Sequence, residues 1–143
     1  LRTGFRGKEF YCYKFRTMKV NKDADTKQAT KKDPRKTKVG EFLRKTSIDE
    51  LPQFFNVWRG DMSVVGPRPH MLKHTKDYSA LIDKYMLRHT IKPGITGWAQ
   101  VNGRNAITHT KKFEYDVWYV DNISFKLDLK IFFLSIKDIF SKT

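Results

Sequence analysis

Two adjacent carboxylates, Asp49 and Glu50, stand in the run Lys45-Thr46-Ser47-Ile48-Asp49-Glu50-Leu51-Pro52-Gln53, inside a chain that is otherwise strongly basic. Neighbouring side chains point about 100° apart on a helix and to opposite faces of a strand, so the pair suits two tasks rather than one. One carboxylate can attack an electrophile while the other holds a metal ion, a division that fits chemistry on a phosphate ester. A plainer reading competes. Ser47 followed three residues later by Glu50, ahead of Leu51, Phe54, Phe55, Val57 and Trp58, has the form of a capping box. In that case Glu50 closes the box and Asp49 is a first-turn acid serving the helix dipole. Pro52 shifts the regular helix to a start near Leu51 or Pro52, and in either register the two acids sit at a helix N-terminus.

Arg68 is the second candidate. Pro67 and Pro69 fix φ on both sides of it and remove backbone donors, so its guanidinium is held in a nearly fixed direction. That geometry serves a bidentate clamp on phosphate, or simply a surface arginine on a stiff loop. Glycine-rich backbone beside a cation recurs at Asn102-Gly103-Arg104-Asn105, a pattern compatible with an anion cradle. His70 and His74 are four residues apart and can share a helix face, but a third zinc ligand of suitable spacing is missing.

The elements that must carry these residues follow from hydrophobic period and turn chemistry. Residues 8–18, rich in aromatics, predict a strand. Residues 20–38 predict a polar loop whose charges are solvated. A short helix is expected over 39–45 with Phe42 and Leu43 inward, then a helix over 51–58 stopped by Gly60. Residues 61–65 predict a strand, and residues 78–88 a helix with Tyr78, Leu81, Ile82, Tyr85 and Met86 in the core. A turn-rich loop at 92–97, a short strand at 98–101 and a helix at 111–120 come next. Finally, residues 127–140 predict a helix with Leu129, Phe132, Phe133, Ile136 and Phe140 on one stripe. Packing against the domain and lying in a membrane interface explain that stripe equally well.

Length and composition bound the answer. A chain of 143 residues fits one domain, spanning 1–143, and 14% aromatics is too many for a disordered chain. Lys and Arg outnumber Asp and Glu by 29 to 15, a net charge of +14, so the partner is an anion: nucleic acid, a phosphorylated small molecule or an anionic membrane surface. The single Cys12 excludes an intramolecular disulfide and a cysteine-based zinc site. No run approaches the roughly 20 apolar residues of a membrane-spanning helix. The chain opens on Leu1 rather than Met, which leads us to expect a fragment with an upstream membrane segment.

Four motifs, in order, cover almost the whole chain: Lys14-Phe15-Arg16-Thr17-Met18, the run from Leu43 through Gln53, Gly60-Asp61-Met62-Ser63-Val64-Val65-Gly66-Pro67-Arg68-Pro69, and Lys92-Pro93-Gly94-Ile95-Thr96-Gly97-Trp98-Ala99-Gln100-Val101. Together they resemble the bacterial sugar transferases that act on polyprenyl phosphate, the monotopic phosphoglycosyl transferases. The resemblance implies transfer of a sugar-1-phosphate from a UDP-sugar to undecaprenyl phosphate, giving undecaprenyl-diphosphate-sugar and UMP, at the start of surface polysaccharide or glycoconjugate synthesis. It implies Asp49 as the nucleophile, forming a phosphosugar-aspartyl intermediate, and Glu50 as the residue that helps hold Mg²⁺. Arg68 would bind phosphate and Arg44 would lie near the active site. Lys14 and Arg16 join the phosphate-binding set, and Arg104 the nucleotide-sugar side. The family's N-terminal membrane anchor is absent from these residues. The expected fold is a compact, helix-dominated α/β domain with a few short strands and amphipathic helices at the cytoplasmic face of a bacterial inner membrane. The sugar stays open, since 70–75 is like the hexose-transferring members and 102–106 like those taking acetamido sugars. A basic nucleic-acid-binding module is the alternative, although Asp49 and Glu50 would repel phosphates at its centre. A catalytically silent membrane-surface scaffold is the third reading.

Overall fold

Helices dominate the computed structural model, which describes residues 1–23, 27–30, 32–103 and 106–141. Two short strands, β1 (Arg2–Thr3) and β2 (Glu9–Phe10), pair antiparallel around a 3₁₀ turn at Phe5–Gly7. After a long irregular stretch come α1 (Lys38–Lys45) and α2 (Gln53–Trp58), with a 3₁₀ turn at Ile48–Glu50 between them. Strand β3 (Ser63–Val65) pairs in parallel with β4 (Gly94–Thr96), and the crossover between them carries α3 (Leu72–Leu81) and a 3₁₀ turn at Tyr85–His89. The chain then runs through α4 (Trp98–Val101), α5 (His109–Asp121) and α6 (Phe125–Ser141).

The parallel pair is the platform. Val65 packs with Tyr119 of α5 and Ile131 of α6, and Val64, Ile91, Trp98, Val101 and Leu127 close around them. Thr96 and Ser135 share a hydroxyl hydrogen bond that ties β4 to α6. Gly66 and Gly94 let the two strands approach: a Cβ on Gly94 would lie 2.0 Å from the nitrogen of Gly66. A second packed region surrounds Tyr85, whose ring meets Phe113 of α5 edge-on at 4.8 Å.

Several expectations are corrected. The strand predicted over residues 8–18 shrinks to β2 plus an isolated bridge between Met18 and Lys36. Its aromatic run finds no neighbouring strand, because its backbone bonds go elsewhere. The buried Asn56 side chain accepts from Tyr13 N at 2.9 Å and donates to Tyr11 O at 2.7 Å, and Phe15 N donates to Asp49 O at 3.0 Å. Residues 98–101 form helix α4 rather than a strand, and the strand falls on Gly94–Thr96 instead, where its ladder partner is. The helix predicted over 78–88 divides, since Ile82 is extended and Lys84 adopts a left-handed conformation at φ 62°. Tyr85 is core, but Leu81 and Met86 are exposed. Phe42 faces outward as well. Within the loop after Met18, Asp33 is buried against Arg35 at 2.7 Å rather than solvated. On α6 the inward side runs through the half-buried Leu127 and Ser135 and the buried Ile131; of the predicted stripe, Leu129, Phe132, Phe133 and Phe140 are exposed and Ile136 is half-buried.

Candidate functional site

The two acids sit on the 3₁₀ turn Ile48–Glu50, and the capping box does not form. Ser47 is left-handed at φ 60° and its side chain makes no cap hydrogen bond. Regular helix resumes at Gln53, directly after Pro52, so the acids precede α2 and neither is consumed as a cap. Glu50 takes two cations instead. Lys14 Nζ lies 2.9 Å and Arg68 Nη2 2.7 Å from its Oε1.

Each partner is delivered by a different piece of chain. The bond from Phe15 N to the carbonyl of Asp49 aligns the Lys14 segment with the acidic turn. The Pro67-Arg68-Pro69 corner follows β3 directly and is held to β4, because Gly94 N donates to Pro67 O at 2.9 Å. Arg44, in the last turn of α1, places Nη1 3.4 Å from Thr17 Oγ1. Helix α1 lies tight on the Thr17 backbone: a Cβ on Gly40 would be 1.9 Å from Thr17 O, and only glycine permits the approach.

Asp49, Glu50, Lys14, Arg16, Arg44 and Arg68 all line one cleft of about 810 Å³. That volume lies in the range of small-molecule sites. Arg104 lies outside the described residues. Asp49 is buried, and its side chain is not pinned to a cation as that of Glu50 is. Burial and the charge of Glu50 raise its pKa above the ordinary carboxylate value, while Lys14, Arg44 and Arg68 oppose the rise. Burial works against ionisation of Glu50 too, but the charges and hydrogen bonds of Arg68 and Lys14 win and hold its carboxyl well below the usual range. Burial and the like charge of Arg68 lower the Lys14 pKa, with Glu50 resisting. The site therefore holds one carboxylate fixed and ionised beside another whose charge is costly.

His70 and His74 do not present a joint ligand pair. The Nδ1 of His70 faces the Tyr85 hydroxyl at 2.8 Å, and burial next to Arg88 and Arg68 holds its imidazole neutral. Sequence reasoning missed three contributors. Asn56 holds the 11–13 segment through its side-chain amide, Thr17 is buried beneath Arg44, and Arg88 with Asp116 underlies the Pro-Arg-Pro corner. Only the last left a trace, as a charged residue of each sign inside otherwise core-forming helical runs.

The model of a family described as bacterial sugar transferase matches residues 1–142. A protein of Klebsiella pneumoniae named UDP-glucose:undecaprenyl-phosphate glucose-1-phosphate transferase is 55% identical, covering 95% of this chain and 30% of its own length. The protein of the same name from Escherichia coli K12 is 53% identical over 94% of this chain, again 30% of its own length. An uncharacterized sugar transferase, EpsL, of Bacillus subtilis strain 168 is 52% identical, covering 97% of this chain and 67% of its own length. The chain thus spans about a third of the length of the first two relatives and two thirds of the third. With its motifs gathered around one cleft and its length matched almost throughout, the chain belongs to the bacterial sugar transferase family.

Proposed function

We propose that this chain transfers a sugar-1-phosphate from a UDP-sugar to undecaprenyl phosphate, with Asp49 as the covalent nucleophile. The observation that carries the reading is the convergence of Lys14 and Arg68 on Glu50, beside the buried Asp49, in one cleft. An incoming diphosphate meets cations already aimed at an oxyanion position, so little reorganisation is needed when charge develops. An Asp49 oxygen attacks the β-phosphorus, the bond from that phosphorus to the bridging oxygen breaks, and UMP leaves with the electron pair. A phosphate oxygen of undecaprenyl phosphate then attacks the same phosphorus and Asp49 is released. Arg68, Lys14 and Arg16 bind the phosphoryl oxygens, and Arg44 favours the ionised form of Asp49; Arg104 is assigned to the nucleotide-sugar side on the family resemblance alone.

The donor set fits Mg²⁺. Glu50 and Asp49 offer carboxylate oxygens on consecutive residues, and both cations fall on Oε1 of Glu50, leaving Oε2 for a metal. Among the described residues no cluster of three or more His, Cys, Asp or Glu is available, so substrate phosphates and water complete the shell, as Mg²⁺ commonly accepts. When bound, the ion neutralises diphosphate charge. Glu50 is the residue that would hold it.

Two of the relatives above carry glucose-1-phosphate in their names, which makes UDP-glucose the first substrate to test. No helix among the described residues is long and apolar enough to cross a membrane. The exposed phenylalanines and lysines of α6 suit an anionic surface at the cytoplasmic face of a bacterial inner membrane, where transfer would begin a surface glycan. Acids at the centre of the basic cleft count against a nucleic-acid partner.

The test is a single-turnover incubation with UDP-glucose labelled in the sugar, Mg²⁺ and no lipid. UMP is released and label stays on the protein, on Asp49; the Asp49→Asn variant does neither. Release of UMP only when lipid is added, with no adduct, would overturn the two-step route.

A further inference from the structure

Arg68 is itself held from behind. Arg88 Nη2 donates to the carbonyl of Arg68 at 2.5 Å, while Arg88 Nε and Nη2 bond Oδ2 of Asp116 at 3.0 and 2.9 Å. The Arg88 and Asp116 side chains are 2% and 5% exposed, so although both border the cleft they have almost no surface to offer a ligand. The Nη1 of Arg88 lies 3.4 Å from the Tyr85 hydroxyl, which meets His70 Nδ1 at 2.8 Å. Positions 68 and 70, on the two sides of Pro69, are therefore both anchored to one buried network. Desolvating such an ion pair is costly, and well-packed apolar residues often serve stability equally well. What apolar residues cannot supply is a donor aimed at the Arg68 carbonyl.

We propose that Arg88 and Asp116 form a buried strut that sets the position of Arg68, and with it the grip of Arg68 on Glu50 and on the diphosphate of the substrate. Asp116 orients the guanidinium, the guanidinium fixes the Arg68 carbonyl, and the prolines on either side leave φ at those positions no freedom to absorb a shift. Arg88 is a positioning residue. The planar fork matters: lysine keeps the charge but not two donors in a fixed relation. The inference rests on reading the cleft as a diphosphate site.

A double-mutant cycle tests it, using Arg88→Lys and Arg68→Ala singly and together. UDP affinity is read by calorimetry, and UMP release from UDP-glucose by single turnover. Arg88→Lys alone is expected to weaken UDP about 10-fold and to slow release between about 10- and 100-fold, as misplacement of a catalytic contact does. In the Arg68→Ala background the same change should cost less than about 2-fold, because its target is gone. Equal losses in both backgrounds, or no loss with Arg68 present, would overturn the strut. Asp116→Asn, which keeps shape and removes charge, replaces Arg88→Lys in the cycle if the lysine variant fails to fold. A chain that shows the non-additive cycle in UDP affinity but releases no UMP would keep the strut and lose the transferase reading. A chain that turns over with an additive cycle would do the reverse. A chain that does not bind UDP at all would lose both.

Discussion

Phe15 donates its backbone N–H to the carbonyl of Asp49 at 3.0 Å, joining the segment that carries Lys14 and Arg16 to the turn that carries both acids. No sheet is involved. The segment is held instead by Asn56, whose amide supplies one acceptor and one donor to the backbone at Tyr13 and Tyr11. A single side chain thus does for residues 11–13 what a neighbouring strand would do, with the Asp49 carbonyl taking over at Phe15, and the position of Lys14 beside Glu50 depends on both.

Asn56→Leu is accordingly expected to destabilise the fold by about 1–3 kcal/mol, since it removes two bonds from the buried Asn56 side chain and leaves a half-buried donor and acceptor without their partner. Denaturant melts measure that loss. UDP affinity in the folded fraction should fall as well, because the ammonium of Lys14 loses its register. Unchanged affinity would mean that the 11–15 segment is positioned by something other than Asn56.

The two acids should show opposite linkage to pH. Asp49 has a raised folded-state pKa, so its ionised form weakens the fold at neutral pH and that penalty fades as pH falls toward its unfolded value near 4. Asp49→Asn should therefore raise Tm at pH 7 by a few degrees while removing at least about 10³-fold of activity, and the gain in Tm should vanish at pH 4. Glu50 has a depressed pKa, so the stability it contributes is present above about pH 4.3 and is lost as pH falls through its folded value. Glu50→Gln should lower Tm at pH 7 and progressively less below pH 4. In the unmutated chain the acid limb of the rate should report Asp49, lying above an ordinary aspartate. Thermal melts and single-turnover rates across pH 3 to 8 distinguish the two residues.

Gly94→Ala is predicted to separate architecture from chemistry. A Cβ there would lie 2.0 Å from the nitrogen of Gly66 and 2.5 Å from the Thr96 carbonyl, backbone atoms that cannot swing aside. The bond from Gly94 N to Pro67 O would break with the strand pair, displacing the Pro-Arg-Pro corner. A cost of about 3 kcal/mol or more is expected from overpacking of this kind, together with loss of UDP binding. A variant that is stable and fully active would show that β3 and β4 do not set the corner.

The site was more legible in the sequence than the fold around it. Asp49, Glu50, Lys14 and Arg68 carry chemistry in their types, and proline on both sides of Arg68 announces a rigid corner without any knowledge of its neighbours. Local pattern failed where tertiary partners decided. Residues 98–101 have β propensity but no ladder partner, and Gly97 opens a helical turn there instead. The Ser47 capping box was overridden by a left-handed backbone at φ 60°, which frees Glu50 for cations from distant sequence. The α6 stripe was left open for a different reason: period alone marks an apolar face and cannot say whether protein or lipid covers it, and here the larger rings are the exposed ones.

Those exposed rings give the last prediction. Phe125, Phe133 and Phe140 are 79%, 63% and 74% exposed on α6, and Lys126, Lys130 and Lys137 on the same helix are exposed too. A helix with large exposed aromatics and lysines lies flat in a headgroup layer, rings toward the acyl chains and ammonium groups toward anionic lipid. Replacing Phe125 and Phe133 together with serine should leave Tm within about 2 °C, because neither ring is in the core, while lowering partition onto phosphatidylglycerol-containing vesicles by at least about 10-fold. Sedimentation with vesicles of graded anionic content measures it, and raised salt should weaken the unmutated chain's binding only in part, leaving the apolar share intact. A double variant that binds such vesicles as tightly as its parent would assign the exposed face of α6 to some other partner.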